Sequence, residues 1–97
     1  MAVSKIQNGI KVSIIGRLPD ANTTITAGDA VTFDTGNTIN GTIIGMAPIF
    51  AGHYKCIITN VWKDADNGHI KFTIFNPSSE TRILGTTQLA RVLVIYR

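Results

Sequence analysis

A chain of 97 residues, 44% apolar and only 15% charged, makes one domain (1–97) with a thin core. Such a domain buries roughly 60–68% of the surface that its unfolded form exposes. The net charge of +3 comes from scattered bases, Lys5, Lys11, Arg17, Lys55, Lys63, Lys71, Arg82, Arg91 and Arg97, that never form a run. That argues against nucleic acid, whose binders cluster their bases on one face. The longest apolar run, Val92–Tyr96, is too short to span a bilayer. Ordinary domains are roughly 25% charged. With so few charges here, either the exposed faces are rich in Thr, Asn and Ser, or another subunit covers apolar surface. The start, Met1–Lys5, has no hydrophobic signal region, so synthesis in a cytoplasm and no ordinary secretion are expected.

The elements read as strands separated by Gly, Asn, Asp and Pro. Ile10–Ile14 alternates, with Ile10, Val12 and Ile14 on one face. Thr23–Thr26 and Ala30–Phe33 flank a turn at Gly28-Asp29, and Thr42–Met46 follows the turn at Asn40-Gly41. His53 to Trp62 reads as one longer strand. A hairpin through Asn67-Gly68, a pair suited to positive φ at both central positions, leads into Ile70–Phe75. Pro77 ends that strand, since proline cannot donate to a ladder. Leu89–Tyr96 closes the chain. No window has the 3.6-residue period of a helix. The expected fold is therefore all-β, an antiparallel β-sandwich or jelly roll of about eight short strands.

The candidate sites are sparse. Asp64-x-Asp66-Asn67-Gly68 superficially matches a calcium loop. An EF-hand needs Gly at position six and Glu at twelve; here Gly is fifth and Phe75 stands twelfth. An Asx-rich turn is the better reading. His53 and His69 are the only histidines, and zinc needs three or four convergent ligands. Cys56, the only cysteine, reads as a buried, inert thiol; in a strand it would point away from His53. No Gly-x-Ser-x-Gly, P-loop or Gly-x-Gly-x-x-Gly motif occurs. The acidic residues, Asp20, Asp29, Asp34, Asp64, Asp66 and Glu80, read as turn or loop positions. No catalytic residue, metal or cofactor is expected. Trp62 and Tyr54, near turns, are candidates for stacking on a sugar, although aromatics at strand ends more often cap a core. The alternating sets Ile10, Val12, Ile14 and Val92, Val94, Tyr96 are candidate oligomer interfaces; the pattern leaves open which set faces the core.

Two resemblances arise from the middle of the chain. Tyr54-Lys55-Cys56 is similar to the tyrosine corner of an immunoglobulin domain. However, no earlier cysteine can pair with Cys56, and Trp62 follows it. Phe33-Asp34-Thr35-Gly36, followed by Ala47-Pro48 and Gly52-His53-Tyr54, resembles the middle of the C1q/TNF-like jelly roll over roughly a quarter of the chain. One extra residue stands between Pro and Gly, and the closing strand departs from the family pattern. The resemblance implies a trimer. Small trimeric jelly rolls without signal peptides are frequent on phage particles, as head fibres, decoration proteins and tail-fibre tips. The expected function is thus a non-enzymatic virion protein with other virion proteins as partners and a host-surface glycan as a further one. The alternative is a carbohydrate-binding module.

Overall fold

The period-two alternation folds into strands alone. The computed structural model describes residues 2–5 and 9–97. Among them are nine strands: β1 (Ala2–Lys5), β2 (Lys11–Arg17), β3 (Thr23–Ile25), β4 (Ala30–Thr38), β5 (Ile43–Phe50), β6 (Ile57–Lys63), β7 (His69–Phe75), β8 (Arg82–Leu84) and β9 (Ala90–Tyr96). They form three antiparallel sheets, ordered β1-β2-β9-β5, β3-β8 and β4-β7-β6. No helix occurs among the described residues.

The chain path is a wound ribbon. β2, β3 and β4 run antiparallel along β9, β8 and β7 in turn. β5 then joins β9 and β6 joins β7. The two larger sheets pack over one core as a β-sandwich. Side chains from both sheets meet there: Ile15, Val92, Val94 and Tyr96 from one, Phe33, Ile70, Phe72 and Ile74 from the other. Ile25 and Leu84 on β3-β8 join the same core. β7 buries every second residue, and Phe72 stacks on Phe33 with ring centroids 5.7 Å apart. Burial of a side chain of that size stabilises by roughly 3 kcal/mol.

Two local expectations need correction. His53–Trp62 is not one strand; β6 begins at Ile57. Gly52, at φ +86, a conformation L side chains rarely adopt, packs on the Gln88 carbonyl, 3.0 Å from where a Cβ would stand. The chain turns there, and Cys56 N donates to His53 O at 3.0 Å. The β6–β7 hairpin also lacks a two-residue Asn-Gly turn. Gly68 N donates to Asp64 O at 2.8 Å, closing a longer loop. Asx side chains hold it: Asp64 Oδ1 accepts from Asp66 N at 2.7 Å and Asn67 Oδ1 from His69 N at 2.9 Å. Such bonds let Asp and Asn build turns without the primed geometry.

β5 is one edge strand of its sheet, β1 the other. Its pairing with β9 shifts register twice, between Ile43 and Gly45 and between Pro48 and Phe50. Bulges and a proline are common protections of an edge against further strand addition. They also leave Ile44 and Ile49 unpaired and exposed.

Candidate interaction surface

Strand pleating assigns the faces of the β1-β2-β9-β5 sheet. On β9, Ala90, Val92, Val94 and Tyr96 are buried, so Arg91, Leu93 and Ile95 project outward. On β2, Ser13 and Ile15 are buried, so Val12 and Ile14 project outward. The register sets Ile14 opposite Leu93 and Val12 opposite Ile95. Across β9, Ala47 lies opposite Leu93 and Gly45 opposite Ile95. Val12, Ile14, Leu93, Ile95 and Ala47 therefore form one contiguous outer face. Leu89 lies across Gly16 and extends it. Arg91 and Arg97 bracket this face along the line of β9; Lys11, opposite Tyr96, alternates to the other face with its Nζ 5.8 Å from the Tyr96 ring, so no charged side chain of the three strands projects from the outer face between them. Ile14 is 41% exposed. The solvent side of a one-sided antiparallel sheet is normally polar, and this one is not.

The two candidate interface sets accordingly separate. Val92, Val94 and Tyr96 belong to the domain's own core, Val92 and Val94 with no exposure at all. They cannot meet a second subunit. The Tyr96 hydroxyl instead lies 3.2 Å from Ser13 Oγ in a buried hydrogen bond, which explains how a serine, not an isoleucine, faces the core of β2. Ile10, partly buried, precedes β2, and only Val12 and Ile14 of that set lie on the outer face. Leu93, Ile95 and Ala47 were missed by periodicity. The available signal was the unbroken apolar run of β9, the mark of a strand covered on both faces.

The outer face of the β4-β7-β6 sheet is different. Thr32 Oγ1 and Thr73 Oγ1 bond at 3.2 Å. His69 Nδ1 sits 3.0 Å from both oxygens of Asp34, and Lys71 pairs with Asp64. The Gly36 amide, then His69, hold the Asp34 carboxyl below the usual range. Lys71 does the same for Asp64, and Asp64 in turn raises Lys71. A histidine oriented by a carboxylate could serve as a base, but a nucleophile must then lie within its reach. Among the described residues no hydroxyl or thiol bonds to His69.

Trp62 lies half-buried on β6, opposite Lys71. Tyr54 lies in the turn before β6, 78% exposed, with its ring 5.1 Å from that of His53 and Lys55 Nζ 5.3 Å from its centroid. The five strand steps from Ile57 to Trp62 span about 17 Å. The structure thus does not bring the two aromatics into one platform. An open apolar groove of about 270 Å³, lined by Pro48, Ile49, Phe50, Ala51, Cys56, Ile57 and Ile58, lies between β5 and β6. Cys56 at its floor is 5% exposed, and burial pushes its thiol up, away from the reactive thiolate. His53 Nδ1 accepts from Lys55 N and makes no hydrogen bond to the thiol. No group of three or more His, Cys, Asp and Glu residues is placed to hold a metal among the described residues.

No protein-family model, no curated protein and no solved structure matches this chain. The surface chemistry alone bears on function.

Proposed function

We propose that this chain is a non-enzymatic structural module that assembles with copies of itself through the outer face of the β1-β2-β9-β5 sheet. One observation carries the reading: Val12, Ile14, Ala47, Leu93 and Ile95 make a contiguous uncharged apolar face on the side where a sheet normally meets water. The small domain has a thin core of its own, and burial between subunits adds stability by mass action. Closed assembly of identical subunits is the ordinary outcome for a self-complementary patch. The threefold order and the setting, a phage head fibre, decoration protein or fibre tip, are supported by the jelly-roll resemblance and by the Thr- and Asn-rich, charge-poor composition.

Light scattering after size exclusion tests the assembly. A mass near three times 10.5 kDa is expected at micromolar concentration. A mass of two subunits would keep the self-assembly and reject the threefold order, and a monomer would overturn the proposal. A second reading, adhesion to glycans, is favoured by the open ring of Tyr54. Its test is a glycan array with the wild type and Tyr54→Ala, where silence of the wild type rejects it.

A further inference from the structure

We propose that Asn40 is a site of spontaneous covalent modification, converting to aspartate and isoaspartate by intramolecular deamidation well ahead of Asn67. The chain holds Asn-Gly pairs at 8–9, 40–41 and 67–68. In such a pair the glycine backbone nitrogen loses its proton and attacks the asparagine Cγ. Ammonia leaves, and a five-membered succinimide closes. Water then opens the ring at either carbonyl, giving aspartate or isoaspartate. The balance is one water consumed and one ammonia released, with no oxidant or reductant. Glycine, lacking Cβ, leaves the attacking nitrogen least hindered.

The fold separates the two described sites. At Asn67 both reacting groups are held. Gly68 N donates to Asp64 O at 2.8 Å, and Asn67 Oδ1 accepts from His69 N at 2.9 Å. At the β4–β5 turn both Asn40 and Gly41 are exposed. Neither the Asn40 side chain nor Gly41 N has a hydrogen-bond partner among the described residues. The glycine is also hard to replace. It sits at φ +144, and a Cβ there would run into the Arg97 carbonyl, so the turn that needs glycine keeps the reactive pair. Beside the turn, Thr42 N donates to Arg97 O at 2.9 Å and Arg97 N to Thr42 O at 2.8 Å. Isoaspartate lengthens the main chain by one methylene and adds a carboxylate next to this clamp, at the end of the apolar face.

The experiment is a time course on the folded protein at mildly alkaline pH. Peptide mapping by mass spectrometry separates the sites, and enzymatic methylation of the freed α-carboxylate reports isoaspartate. Asn40 is expected to convert roughly fivefold or more faster than Asn67, the Boltzmann weight of the backbone hydrogen bond that Gly68 must first break. In concentrated urea the two rates are expected to converge. Equal rates in the folded protein, or a preference for Asn40 that survives unfolding, would overturn the proposal.

Discussion

The Asn76 side chain makes four hydrogen bonds, and the residue has no exposure. Its Nδ2 donates to Ile25 O and Glu80 O, both at 2.8 Å. Its Oδ1 accepts from Ser78 N at 3.0 Å and Ser78 Oγ at 2.6 Å. It thereby ties the end of β7 to β3 and to the loop before β8. Asn76→Ala takes its side-chain donor from the buried Ile25 carbonyl and the acceptor from Ser78, and a loss of about 2–4 kcal/mol is expected, read as a lower urea midpoint. In the sequence the residue shows only as the asparagine of an Asn-Pro strand end, because its partners lie up to 51 positions away. The carboxylates of Asp34 and Asp64 give a second prediction. Their folded pKa values lie below the unfolded ones. They therefore add stability above the unfolded value of about 4, and that stability is lost as pH falls through the lowered folded values. The urea midpoint should drop below about pH 4, and Asp64→Asn should make that drop shallower. A drop of unchanged steepness in the variant would contradict the assignment.

At the scale of the element, β7 and β9 show what alternation can and cannot reveal. In β7, Ile70, Phe72 and Ile74 alternate with His69, Lys71 and Thr73, and the buried face follows directly from the pattern. In β9, Val92, Val94 and Tyr96 alternate with Leu93 and Ile95, so the pattern names two apolar faces and does not rank them. β2 misleads for a related reason. Val12 and Ile14 look like core, yet Ser13 and Ile15 occupy it, because Tyr96 offers the Ser13 hydroxyl a partner across the sheet. The two faces of β9 should answer differently to mutation. Val94→Ala is expected to cost about 2–3 kcal/mol in chemical denaturation through lost burial and a residual cavity. Leu93→Lys is expected to change monomer stability by less than about 1 kcal/mol while releasing monomers in size exclusion. If Leu93→Lys unfolds the domain and Val94→Ala does not, the two faces are assigned the wrong way round.

For the whole molecule, the all-β class, the short antiparallel strands and most strand positions were legible in the amino-acid order. Period-two alternation and turn residues act over neighbouring positions, and local sterics suffice to express them. The winding was not legible. Nothing local tells β3 to pair with β8 and not with β4 across the Gly28-Asp29 turn, since a long-range pairing depends on which faces can be buried together. The same limit applies to the turns. The turn at Gly52, which packs on Gln88, 36 positions away, takes His53 to Cys56 out of the expected long strand, and Asn67-Gly68 is drawn into a larger loop by Asp64. The scarcity of charge was visible from composition, and with it the expectation that either the exposed faces are rich in Thr, Asn and Ser or some apolar surface is covered. The place of that surface depended on the fold. An apolar residue states only that it avoids water, and the sheet's pairing decided that Val92 and Val94 do so inside the domain while Ile14, Leu93 and Ile95 are left facing out.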